Sequence, residues 1–80
     1  MITITRALKL DKLSYRAVYD VLVDGRIQIN SVRLMTNKAN EYYLKMPEEI
    51  VKGKVYPAVK IVDVGLMDEI KKVLVENYTK

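Results

Sequence analysis

The sequence predicts an α+β fold: a mostly antiparallel sheet of four to five strands, with a long bent hairpin and one C-terminal helix. Three observations predict it. Two apolar-alternating runs flank Asp24-Gly25 within Tyr15–Leu34. Shorter alternating runs lie on either side of that pair, at residues 2–10 and 42–46. A single stripe at helical spacing, Leu66, Met67, Ile70, Val73, Leu74 and Tyr78, closes the chain.

The hairpin is the anchor. A tight two-residue turn needs positive φ, which Gly adopts freely and Asp tolerates, so Asp-Gly between alternating runs marks a hairpin. Leading in, Ala17, Tyr19, Val21 and Val23 share a face; leading out, Ile27 and Ile29 do the same. The next apolar residues are Val32 and Leu34, at even positions. A period-2 strand changes parity only by inserting a residue, so a β-bulge or bend is expected near Asn30-Ser31.

The other elements follow in order. Residues 2–10 read as a first strand with Ile2, Ile4, Leu8 and Leu10 on one face, interrupted by Arg6. Residues 36–40, TNKAN, form a polar turn. Tyr42, Leu44 and Met46 then alternate with Tyr43 and Lys45 in a short strand ended by Pro47, which cannot donate to a ladder. Residues 48–54 read as a loop turning at Gly53, and Val55–Val62 as an extended stretch that Pro57 restricts to an edge. Asp63–Lys80 reads as the helix, with Asp63 as N-cap, Asp68 and Glu69 near its positive end, and Val75 breaking its polar face.

Eighty residues make one domain with a modest core, which usually needs disulfides, metal, very good packing or a partner. The chain has neither cysteine nor histidine, which excludes disulfides, thiolate metal sites and histidine-based acid–base chemistry. Oligomerisation remains. No apolar run approaches a membrane span and no signal-peptide pattern opens the chain, so a soluble, cytoplasmic protein is expected. Residues 1–60 hold eleven basic and six acidic residues, and residues 61–80 three and four. That bias suits a polyanion.

No Gly-rich phosphate loop or catalytic constellation is visible, so neither an enzyme, a cofactor nor a small-molecule substrate is expected. Glu48-Glu49 reads as a solvated pair. Tyr carries every aromatic role, since Phe and Trp are absent. By phase Tyr19 belongs to the core or an interface. Tyr42 and Tyr43 must face opposite ways; the more exposed one can seal a subunit interface, or stack on a base beside Arg33 and Lys45. Lys52 and Lys54 around Gly53 are candidates to clamp a phosphate backbone.

Several connected pieces resemble the SpoVG family, the stage V sporulation protein G or septation-regulator group. Arg16-Ala17 with the hairpin through Asp24, followed by Ile27, Ile29, Val32, Arg33 and Leu34, resembles the family's Arg-Ala and Ile-Arg-Val strands. Tyr42-Tyr43-Leu44-Lys45-Met46-Pro47 resembles its aromatic-hydrophobic run closing on Met-Pro. Gly53 to Val59 resembles the strand after its loop, and Ile70, Val73, Leu74 and Tyr78 its C-terminal helix. The resemblance implies a homodimer that binds DNA or RNA and regulates gene expression, without enzyme activity.

This chain departs from the pattern at four places. Glu48-Glu49 stands where the family has Ser and basic residues, and the following loop is shorter. Lys60-Ile61 replaces a His-Pro pair, and Asn40-Glu41-Tyr42 replaces Gly-Leu-Phe. Glu repels phosphate, so the acidic pair works against that contact.

The expected phosphate contacts are Lys52, Lys54 and Lys60, with Lys71 and Lys72 on the helix and Arg33 and Lys45 near the sheet. Tyr42, Tyr43 and Tyr19 are the candidate interface residues of a dimer joined by strand pairing or the sheet surface. The alternative is a protein-interaction scaffold that docks a partner through the Tyr-rich surface.

Overall fold

The computed structural model describes all residues, 1–80. The fold is α+β. Four strands, β1 (Ile2–Lys12), β2 (Tyr15–Val23), β3 (Ile27–Thr36) and β4 (Tyr42–Lys45), form an antiparallel sheet in sequential order. Two more, β5 (Glu48–Val51) and β6 (Lys54–Pro57), pair only with each other. The helix α1 (Val64–Tyr78) packs on one face of the four-stranded sheet.

The β2–β3 hairpin turns at Asp24-Gly25 as expected, but Val23 pairs with Ile27, so the connection holds three residues, Asp24 to Arg26, and not two. Asp24 and Gly25 both have positive φ, 53° and 67°, and the Arg26 N–H donates to the Val23 carbonyl at 2.9 Å. That is a turn whose twist matches the flanking strands. The expected bulge is present: Tyr19 faces Val32 but Val21 faces Ile29, so β3 carries one extra residue. Ser31 takes φ 62°, and its N–H is held by the Asp20 carboxylate at 2.9 Å. The bulge lets Ile29, Val32 and Leu34 all reach the core.

A second bulge corrects the reading of the first strand. Ile4 faces Val21 and Arg6 faces Asp20, so Thr5 is the extra residue and parity flips there. Ile2 and Ile4 pack against the core, whereas Leu8 pairs with Val18 on the opposite face and is 48% exposed. Arg6 interrupts the apolar pattern because the strand itself is irregular at that point.

The core lies between sheet and helix: Ala17, Tyr19, Val21, Val23, Ile29, Val32, Leu34, Ile70 and Leu74. Asp63 caps α1 by accepting the Leu66 N–H at 3.1 Å. The helix starts at Val64, which leaves its first turn without an acidic residue. Val75 packs against the core edge and does not break the polar face. At the far end the Tyr78 ring meets Tyr42 edge-on at 6.1 Å, Lys9 Nζ lies 5.4 Å from its centroid, and its hydroxyl donates to Asp11. That bond holds the Tyr78 phenol above its ordinary titration range.

Residues 48–54 are not a loop. They form β5 and the turn into β6, with Lys52 and Gly53 at φ 52° and 77°. Gly53 at positive φ and the β-branched flanks Ile50, Val51 and Val55 favour a hairpin over irregular chain. The extended stretch ends at Pro57, and residues 58–63 are irregular.

Candidate nucleic-acid interface

The helix covers one sheet face, and no element covers the other. Alternation sends Val18, Asp20 and Leu22 of β2 to that open face, because Ala17, Tyr19, Val21 and Val23 are buried. The register then defines rows across it. Leu8, Val18, Arg33 and Lys45 form one row, and Tyr15, Met35 and Tyr43 the next. Arg6 opposes Asp20, and Thr3, Leu22 and Gln28 complete the face. Its centre is apolar, and Tyr43, 42% exposed, flanks a pair of cations. Tyr43 and Lys45 lie two residues apart on one strand face, about 7 Å.

Glu48 sits against that pair. Its Oε1 accepts from Arg33 Nη2 at 2.8 Å and lies 3.5 Å from Lys45 Nζ. Arg33 Nη2 also donates to the Met46 carbonyl at 3.4 Å. The Arg33 hydrogen bond holds the Glu48 carboxyl below the ordinary glutamate value. Glu48 is therefore no free, solvated carboxylate: it occupies two candidate phosphate contacts at once. Glu49 points to the other face of the β5–β6 hairpin and has no ion pair.

The remaining candidates are spread over the molecule. Lys52 and Lys54 are exposed at the tip of the β5–β6 hairpin. Lys60 borders an apolar groove beside the start of α1. Lys71 and Lys72 belong to the helix and lie across the sheet from Arg33 and Lys45. Only Arg33 and Lys45 are brought together. Among the tyrosines, Tyr43 faces the open side. Tyr42 packs inward on Tyr78, and Tyr19 is fully buried with its hydroxyl donating to Asn77 Oδ1 at 3.1 Å. Tyr19 is thus core, not interface, and burial pushes its phenol up.

Reading the sequence missed Tyr15 and Leu8 as members of the open face, whereas Arg6, expected at the sheet's rim or an interface, does lie on it. Arg6 breaking the β1 alternation was the available signal for the bulge that turns Leu8 outward. Beside Tyr43, residues Ser14, Thr36, Lys38 and Asn40 line a shallow polar cleft.

No helix is long and apolar enough to cross a membrane. No family model matches this chain, and none of the curated proteins matches it. The likeness to the SpoVG group accordingly rests on the sequence motifs quoted above.

Proposed function

We propose that this chain is a small, non-enzymatic, cytoplasmic regulator that works as a homodimer and binds single-stranded DNA or RNA on its open sheet face. One observation carries the reading: Tyr43 stands next to the Arg33–Lys45 pair on a sheet face that nothing covers. Aromatic rings stack on bases of any sequence, and neighbouring cations hold the backbone. Tyr15, Arg6 and Lys38 extend the same surface along the strand ends. The resemblance to the SpoVG group points the same way and adds control of septation or sporulation genes as the biological setting.

The test is fluorescence anisotropy with labelled single-stranded RNA, single-stranded DNA and duplex DNA, over a salt series. The expected result is micromolar binding of single strands that falls linearly in log–log salt and weakens at least fivefold in Y43A. Absence of binding at low salt, or binding indifferent to salt, would overturn the reading.

A second reading has its own observation. Leu8, Val18 and Leu22 make the centre of the face apolar, and Glu48 neutralises its main cations. A protein-docking scaffold would use the same face with salt-tolerant binding.

A further inference from the structure

Two turns meet at one end of the four-stranded sheet. Leu13 and Ser14 join β1 to β2, and residues 37–41 join β3 to β4. The Thr36 N–H donates to the Ser14 carbonyl at 2.8 Å and ties the two turns together. They frame a cleft of about 500 Å³, lined by Leu13, Ser14, Thr36, Lys38, Asn40 and Tyr43. That is room for one small ligand. Tyr43 belongs both to this cleft and to the open sheet face, two residues from Lys45. A strand lying across the Arg33–Lys45 pair therefore reaches the cleft at Tyr43.

The cleft has a fixed frame. Asn37 Oδ1 accepts the Ala39 N–H at 2.9 Å and the Glu41 N–H at 3.0 Å, and the Asn37 carbonyl accepts the Asn40 N–H at 3.0 Å. On the other side Leu13 holds φ 50°, a left-handed conformation uncommon for leucine, and the Arg16 guanidinium donates to the Leu13 carbonyl. The Leu13 side chain is 98% exposed, so no burial within the fold offsets that strain. Strain of this kind gathers where a ligand is clamped.

The lining selects the ligand. Two hydroxyls, one amide and one ammonium stand beside an aromatic ring and an exposed aliphatic chain. An isolated phosphate calls for several cations, and an aliphatic ligand for apolar walls; this cleft has one cation and mostly polar walls. Hydroxyls and amides both donate and accept, which is what the edge of a base requires. Single-stranded bases are read in that way, stacked on aromatic rings with polar groups along their edges. The Asn amide sets a donor beside an acceptor, the match of adenine's N7 and N6 amino group. Lys38 has no ion pair within the chain, and a compact charge on a flexible stem suits the adjoining phosphate.

We propose that the cleft takes one unstacked adenine of the bound single strand: its ring lies on Tyr43 with Leu13 against it, Asn40 bonds its edge, and Lys38 meets its phosphate. This rests on the single-strand reading of the open face and gives that face a base preference.

The experiment is anisotropy with oligo(dT) and with the same oligomer carrying one central adenine, followed by an NMR titration of the backbone amides with adenosine monophosphate. The adenine-bearing strand should bind about fivefold tighter, the low end for a bidentate base contact. The monophosphate should shift Leu13, Ser14, Asn40 and Tyr43 saturably. N40G keeps the turn, since Gly takes the φ of 61° found at Asn40 without strain, and removes only the amide. It should lose the adenine preference while binding oligo(dT) as wild type does, with the same salt slope. L13G removes the apolar surface and the strain together, so it should weaken the preference without lowering the melting temperature. Equal binding of the two strands would overturn the adenine cleft and leave the sheet-face reading in place. So would a preference that survives N40G, a central guanine bound as tightly as adenine, or monophosphate shifts that avoid the cleft. Failure of both strands to bind at low salt would instead remove the sheet-face reading, and the cleft's role with it.

Discussion

Removing the charge of Glu48 while keeping its shape tests whether Arg33 and Lys45 face phosphate. In E48Q the anion 2.8 Å from Arg33 and 3.5 Å from Lys45 is gone, and the Met46 carbonyl still orients Arg33. Two cations become free to meet a backbone. For single strands each neutralised phosphate adds about 0.7 to the log–log salt slope, so the slope should steepen by up to about 1.4. Over a fourfold change in salt, from about 50 to 200 mM, the advantage of E48Q over wild type should then shrink about sevenfold. Anisotropy titrations of one labelled oligonucleotide against both proteins measure it. A folded E48Q with the wild-type slope would refute the placement of Arg33 and Lys45 at the phosphate contact. The pH dependence has a definite sign. The folded value of Glu48 lies below the ordinary 4.5, so the pair stabilises the fold above that value. Its contribution is lost as pH falls through the depressed folded value. An NMR titration of the Glu48 carboxyl should show a low midpoint in wild type and a higher one in R33A, where Lys45 alone still holds it down.

Y19F removes a part-buried hydrogen bond to Asn77 and should cost about 0.5–1.5 kcal/mol in urea unfolding, with an unchanged m-value. Because burial raises the Tyr19 phenol above 10.0, wild-type stability should fall as pH rises from there, and more steeply than in Y19F. G25A places a Cβ at φ 67° with no atom within 4 Å, so its cost is conformational alone, about 1–2 kcal/mol by the same unfolding assay. G25N should cost less, since Asn visits that region more readily.

The fold was legible wherever one face of an element is buried. The Asp24-Gly25 turn, the parity slip at Asn30-Ser31 and the helix stripe each leave a periodic trace, because burial sorts side chains by face. Legibility failed where neither face is buried. Residues 48–54 look like loop because a hairpin with both sides in water keeps no alternation, although the β-branched run from Val55 did read as extended. The parity of β1 was misread because the break at Arg6 marks an irregularity without saying which residue is extra; the cross-strand register shows that it is Thr5. For the site, sequence phase separated Tyr42 from Tyr43 correctly. It could not show that Glu48, three residues beyond Lys45, folds back onto Arg33 of a different strand.

The exposed hairpin and the open sheet face share a cause that bears on function. A chain of this length has one helix, and one helix covers one face of a four-stranded sheet. Everything the helix cannot reach stays exposed: the open face with Tyr43 and its cations, and the β5–β6 hairpin with Ile50, Val55 and Tyr56. A lone folded domain gains nothing from apolar side chains in water, and an exposed strand pair is an aggregation hazard. The two surfaces differ in chemistry. The β5–β6 hairpin is β-branched and apolar, whereas the open face mixes aromatic rings with paired cations.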